Sequence, residues 1–235
     1  MKRFLNIFLI VVVLSACEGL TTSRIPGYEI HGIDVSHYQS RIDWEAIASQ
    51  SIDFAFVKAT EGATFKDSLY LRNWSSLKQH GIRRGAYHFF RPEVPPGIQA
   101  RHFAQTVHLD SGDLPPVLDV EVIGTLPKME LVRRIQIWLE MVENHFGIKP
   151  IIYTNLHFYN RNLAGYFNGY PLWIARYHGK EPILACGTDW HFWQYGKHGR
   201  LAGIKGSVDF NVFRGSANEL DALCIPPVSE LSSLK

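Results

Sequence analysis

The sequence predicts an α/β domain built as a modified β/α barrel. Three observations carry that expectation: eight short apolar runs, helix-like segments between the early runs, and polar residues recurring where the runs end. The runs span 29–35, 53–59, 84–90, 115–121, 149–154, 171–177, 190–195 and 208–213. They are rich in Val, Ile, Phe and Tyr and are bounded by Gly, Pro or Asp, which is the punctuation of strands. Several are apolar throughout rather than alternating, as parallel strands covered on both faces require.

Between the early runs lie the crossovers. Asp43-Trp44-Glu45-Ala46-Ile47 reads as a helix start with Asp43 as its N-cap. Residues 68–80 and 97–108 can each supply three turns. In 129–146, Leu131, Ile135, Trp138 or Leu139, Val142 and Phe146 recur at spacings of three and four, the period of a helix with one buried face. Gly147 stops that helix, and Lys149-Pro150 leads into the next strand. The fifth crossover, around 156–165, is shorter, and the loops after 171 are too short for full crossover helices. Five βα units followed by three strands is the resulting order. With no internal repeat or low-complexity linker, 28–235 is expected to form one domain and a monomer.

The first residues carry a processing signal. Lys2 and Arg3 precede Phe4–Leu14, apolar apart from Asn6, as in an export signal. Those 11 residues fall short of the roughly 20 that span a bilayer. Leu14-Ser15-Ala16-Cys17 resembles the lipobox of bacterial lipoproteins. The resemblance implies that 1–16 is a signal peptide and that Cys17 is lipidated at the head of a tether, 17–27. It also implies an exported cell-envelope protein held to a membrane lipid through Cys17.

Composition excludes several classes. Lys2 and Arg3 account for the formal charge of +2, so the processed chain is net neutral and offers no basis for nucleic-acid binding. Cys186 and Cys224 are compatible with a disulfide or with two free thiols. The histidines are scattered without ligand spacing, and neither a phosphate cradle nor a nucleophile elbow is present. No metal and no cofactor are expected.

The chemistry concentrates in Pro115-Pro116-Val117-Leu118-Asp119-Val120-Glu121. On a strand, residues two apart share a face, so Asp119 and Glu121 project together with Cα atoms roughly 6–7 Å apart. Hydrolysis of a glycosidic bond commonly uses two acids in different protonation states. Glu121 lies further along the strand and is the candidate general acid; Asp119 can raise its pKa by its charge. The competing reading is a structural ion-pair network with Lys58 or Arg176.

Polar residues mark the ends of the other strands too: Asp34 and Ser36, Lys58 and Glu61, His88 and Arg91, Tyr153 and Asn155, Arg176, Gln194-Tyr195 and Asp209-Asn211. Barrel sites gather at such ends. Asp34 and Asp209 belong to the first and last strands, which closure makes neighbours, so the two acids are expected to approach across the seam. Most aromatic residues are expected in the core, with Tyr153, Trp173 and Tyr195 as the exceptions. Trp44, Trp74 and Trp138 fall in helices as packing residues, and His88 reads as a hydrogen-bonded support rather than a base. Lys58, Glu61, Tyr87, Tyr153, Trp173, Arg176, Gln194 and Tyr195 form the candidate substrate-contacting set.

These motifs occur in an order that resembles the family 25 glycoside hydrolases, a family of lysozymes. His31-Gly32-Ile33-Asp34-Val35-Ser36-His37-Tyr38-Gln39, followed by Ile42-Asp43-Trp44, is similar to their opening motif. Phe56-Val57-Lys58-Ala59-Thr60-Glu61-Gly62 and Gly85-Ala86-Tyr87-His88-Phe89 resemble their second and third strands, and Leu118-Asp119-Val120-Glu121 their acid pair. Pro171-Leu172-Trp173-Ile174-Ala175, Trp193-Gln194-Tyr195 and Gly206-Ser207-Val208-Asp209-Phe210-Asn211 resemble later motifs. The resemblance implies a flattened, TIM-like (β/α)5(β)3 barrel with its site at the C-terminal strand ends. It implies an N-acetylmuramidase acting on peptidoglycan glycan strands, with Asp34, Asp119, Glu121 and Asp209 around the reaction centre. A catalytically silent glycan-binding lipoprotein on the same scaffold, a structural envelope lipoprotein and a chitinase-like hydrolase are the competing readings. Binding alone would not require the four acids.

Overall fold

The computed structural model describes residues 24–227; the expected export signal, Cys17 and the first part of the expected tether lie outside the described residues. Eight strands close into a barrel: β1 (Ile30–Val35), β2 (Phe54–Glu61), β4 (Arg83–Phe89), β5 (Val117–Asp119), β6 (Ile151–Asn155), β7 (Leu172–Ala175), β8 (Phe192–Gly199) and β9 (Val208–Phe213). A two-residue strand, β3 (Phe65–Lys66), folds back on the end of β2. Neighbours from β1 round to β8 pair in parallel, whereas β9 runs antiparallel to both β8 and β1.

The reversed β9 corrects one expectation. The polar end of every other strand is its C-terminal end, but Asp209 lies at the start of β9. No crossover helix separates β8 from β9, so the chain turns back directly and delivers the first residues of β9 to the same rim.

The helices are α1 (Trp44–Ala48), α2 (Tyr70–Gln79), α3 (Pro96–Thr106), α4 (Lys128–Phe146), α5 (Leu156–Phe158) and α6 (Ala217–Leu223). Asp43 caps α1 by accepting the Ala46 N–H at 3.1 Å. Gly147 ends α4 at φ 72°, a left-handed position where a side chain would be strained. The fifth crossover is a single α turn continued by a π turn, Tyr159–Leu163. The terminal α6 was not anticipated, although Ser216 and Glu219 form its capping box.

Strand boundaries moved where hydrogen bonding dictated. β5 is shorter than 115–121 because Pro115 and Pro116 have no N–H to donate. Its flanks still pair through Ile151 N–H to Pro116 O at 2.8 Å and Val120 N–H to Tyr153 O at 2.9 Å. β2 runs on to Glu61 because β3 pairs with that extension.

Strand alternation produces two apolar layers. Ile30, Phe54, Phe56, Val117, Ile151, Trp173, Phe192 and Phe213 fill the barrel interior. Ile33, Val57, Leu118, Ile152, Ile174, Trp193 and Val212 face outward onto Leu77, Phe103, Ile135, Trp138 and Leu139 of the helices. His88 belongs to this outer layer: it stacks on Trp138 and bonds Thr60 Oγ1 at 2.7 Å and Gln99 Oε1 at 3.0 Å. Trp44, Trp74 and Trp138 are buried packing residues. Cys186 is exposed, Cys224 is buried, and both are free thiols.

Candidate active site

The interior apolar layer stops below one rim, and carboxyl groups begin there. Asp34, Tyr87, Asp119, Glu121, Tyr153, Trp173, Gln194 and Asp209 line a cavity of about 120 Å³. All four acids singled out in the sequence therefore converge. A larger concavity, about 540 Å³, is lined by Asp189, Trp190, His191 and Arg214 and contains none of them.

Asp34 is held by two amides whose orientations are themselves fixed. Tyr153 and Tyr177 both donate their hydroxyls to Gln194 Oε1, at 2.8 and 2.7 Å. That leaves Gln194 Nε2 to donate to Asp34 Oδ2 at 2.8 Å. Trp173 Nε1–H donates to Asn211 Oδ1 at 2.8 Å, and Asn211 Nδ2 donates to the same Asp34 oxygen at 2.8 Å. Burial, then the neighbouring Asp209, push the Asp34 pKa well above the usual carboxylate range, and the two amides oppose that shift. Asp209 is raised to about 6 by burial and by the charge of Glu121, against the pull of Lys197.

The second acid pair differs in its surroundings. Asp119 is 5 % exposed, and its Oδ1 has no hydrogen-bond partner in the protein. Glu121 lies beyond the strand end and is exposed. Burial, followed by the charge of Glu121, raises the Asp119 pKa well above its ordinary value. Burial also raises Glu121, while the hydrogen bond from Asp119 and the Lys58 charge pull it down. Both carboxyls are thus held above their ordinary range, Asp119 by burial and the charge of Glu121, Glu121 by burial.

The remaining candidates divide. Lys58 continues the inward face of Phe54 and Phe56, and its Nζ pairs with Glu61 at 2.6 Å. Arg91 holds the other Glu61 oxygen. Neither Lys58 nor Arg176 forms an ion pair with Asp119 or Glu121, so the competing network of structural salt bridges is not formed. Arg176 turns away and donates to Glu181 O at 2.5 Å. Tyr195 points into the outer layer against Trp193 and Phe210. Adjacent strand residues face opposite ways, so Gln194 and Tyr195 cannot both line one cavity.

The same alternation identifies Tyr177, which the sequence reading left out, and gives a place to Asn211, which it named only as a polar residue at a strand end. From Trp173, a period of two reaches Tyr177 rather than Arg176, and from Asp209 it reaches Asn211. Both residues join the network around Asp34.

Comparison with known proteins agrees with this geometry. Residues 33–204 match the family model described as glycosyl hydrolases family 25. Lysozyme M1 of Streptomyces globisporus is 36% identical over 209 residues, covering 83% of this chain and 71% of its own. YegX of Escherichia coli K12 is 50% identical over 205 residues, covering 85% of this chain and 75% of its own. Among solved structures, a family 25 glycosyl hydrolase from Bacillus anthracis superposes with a TM-score of 0.81 at 32% identity, covering 87% of this chain and 97% of that one. The Streptomyces coelicolor lysozyme superposes with a TM-score of 0.77 at 35% identity, covering 83% of this chain and 96% of that one. With its carboxyl-lined barrel mouth and this extent of likeness, the chain belongs to glycosyl hydrolases family 25.

Proposed function

We propose that this chain is an N-acetylmuramidase that hydrolyses the β-1,4 bond from N-acetylmuramic acid to N-acetylglucosamine in peptidoglycan. Family membership makes it a glycoside hydrolase of peptidoglycan glycan chains. The observation that supports the finer assignment is the unpartnered, buried Asp119 Oδ1 beside an exposed Glu121. A buried acceptor without a partner is costly, and a substrate N–H that reaches it removes the cost.

The sugar's 2-acetamido group offers such an N–H. Once it donates to Asp119 Oδ1, ionised Asp119 is favoured, and its charge favours the protonated form of Glu121. Glu121 then protonates the glycosidic oxygen as the bond to C1 breaks. The acetamido carbonyl oxygen attacks C1, forming a ring whose positive charge Asp119 stabilises. Glu121, now a carboxylate, takes a proton from water, and the hydroxide adds to C1 and reopens the ring. Two displacements at C1 give net retention. Asp34 and Asp209 shape the charge around this centre, while Tyr87, Tyr153, Trp173 and Gln194 contact the sugar and Lys58 and Glu61 support it. The scaffold is a flattened, TIM-like (β/α)5(β)3 barrel, borne on a lipidated Cys17 in the cell envelope.

Purified peptidoglycan incubated with residues 26–235 tests the reading. New reducing ends identified as N-acetylmuramic acid by mass spectrometry, lost in Glu121→Gln, are expected. Cleavage unaffected by that substitution would reject Glu121 as the acid, and inversion at C1 would reject the acetamido route.

A further inference from the structure

The hairpin between β8 and β9 rises from the rim beside Asp209 and carries charge of one sign. β8 continues past Gln194, which bonds Asp34, as far as Gly199, and pairing resumes at Val208, one residue before Asp209. Between Gly196 and Val208 lie Lys197, His198, Arg200 and Lys205, and no acid. All four are exposed. None of them forms an ion pair among the described residues.

The hairpin is braced against the neighbouring connection. Gln50 donates from Nε2 to Ala202 O at 2.8 Å and accepts the Ala202 N–H at 3.0 Å. The Asp43 N–H donates to Gly203 O at 3.0 Å, and Gln39 Nε2 donates to Ser207 O at 3.3 Å. Charges on a held backbone lose less freedom when a ligand meets them than charges on a loose loop.

Lys197 joins this hairpin to the mouth. Its Nζ lies 5.4 Å from the centre of the Tyr177 ring, and the Tyr177 hydroxyl donates to Gln194 Oε1, which lines the cavity, at 2.7 Å. The Lys197 charge also reaches Asp209, whose pKa it pulls down against burial. Where the acids of the mouth ionise, they repel an anionic substrate. N-acetylmuramic acid bears on its lactyl group a peptide stem with free carboxylates, and an unpaired cation beside the mouth offsets that repulsion.

We propose that Lys197, backed by the basic β8–β9 hairpin, is a binding site for carboxylates of the peptide stem borne by the N-acetylmuramic acid in the cavity. The proposal rests on the muramidase reading and adds a preference for acidic stems over neutral ones.

Kinetics on two forms of one substrate test it. Soluble, uncrosslinked peptidoglycan strands have their amines acetylated, and half are then converted to methylamides at the stem carboxyls. The wild-type protein should cleave the acidic strands with a kcat/KM about two- to fivefold higher at low ionic strength, the range of an exposed ion pair. The difference should vanish at about 1 M salt. Lys197→Ala should lose most of it while matching the wild type on the methylamide strands, and Lys197→Arg should keep it. Equal wild-type rates on both strands would overturn the proposal, as would an undiminished difference in Lys197→Ala. An equal fall on both strands in Lys197→Ala would overturn it too, since Lys197 would then act through Asp209. New N-acetylmuramic acid reducing ends from the methylamide strands decide separately whether the muramidase reading stands; their absence from both strands would reject that reading and the proposal with it.

Discussion

Asp34 and Asp209 face one another as register partners in the antiparallel seam where β9 closes onto β1. Two carboxyls brought together by backbone pairing, in a partly desolvated site, cannot both ionise cheaply. The cost falls on Asp34, whereas burial and then the charge of Glu121 raise Asp209 to about 6 from the usual 3.8, so the folded protein retains a proton that the unfolded chain sheds near pH 4. Its contribution to stability is full below that point and is lost as pH rises through 6.

Asp209→Asn removes this penalty. Its unfolding free energy should exceed that of the wild type above pH 6 by at most about 3 kcal/mol, taking about 1.4 kcal/mol per pKa unit. The excess should shrink towards zero at pH 4. Denaturant unfolding at both pH values measures it, and an excess independent of pH would contradict the raised pKa.

His88 predicts the opposite slope. Burial lowers its pKa to about 3 from 6.5, so the folded state keeps it neutral while the unfolded chain takes up a proton below pH 6.5. The stabilisation is complete above pH 6.5 and is lost progressively as pH falls towards 3. His88→Gln should be less stable at pH 7, through lost packing on Trp138, with a deficit that narrows by pH 4. Thermal unfolding across that range would show the convergence; a deficit that widens on acidification would exclude a buried neutral imidazole.

How far the site was legible follows from strand periodicity. The acids declared themselves because a carboxylate in an apolar strand is anomalous whatever the fold. Trp173 and Gln194 were legible for the same reason, as large or polar groups at strand ends. Tyr195 and Arg176 were misplaced because nearness to the rim was weighed without the face each residue occupies. The antiparallel course of β9 was not legible, since the sequence of a short strand carries no direction. Nor was the brace from Asp67 to His37, which joins residues 30 apart just after the two-residue strand β3 folds back on the end of β2.

Tyr177, found only through the structure, gives a prediction about activity. It shares Gln194 Oε1 with Tyr153, so removing one hydroxyl leaves the other to orient the amide. Tyr177→Phe should lower kcat by about three- to tenfold, and the double variant Tyr153→Phe, Tyr177→Phe by more than the product of the single effects. Multiplicative single effects in steady-state kinetics would mean that the two hydroxyls act independently of Gln194.

The last prediction concerns the packing beneath the site. Gly32 and Gly85 lie on β1 and β4 with the rings of Phe54 and Phe56 against them, and a Cβ at Gly85 would come within 2.5 Å of Phe56. A Cβ at Gly32 would meet the Phe54 ring at a distance no real side chain tolerates. The glycines therefore donate space rather than conformational freedom, since neither has a positive φ. Gly32→Ala should destabilise the barrel by about 1–3 kcal/mol, the usual cost of overpacking. Because the rings concerned support the floor below Asp34, activity should fall along with stability. Combining Gly32→Ala with Phe54→Leu should recover part of both, because the smaller side chain vacates the volume the new methyl needs. Denaturant midpoints of the single and double variants measure the coupling, and simple additivity would show that the methyl group and the Phe54 ring do not compete for the same space.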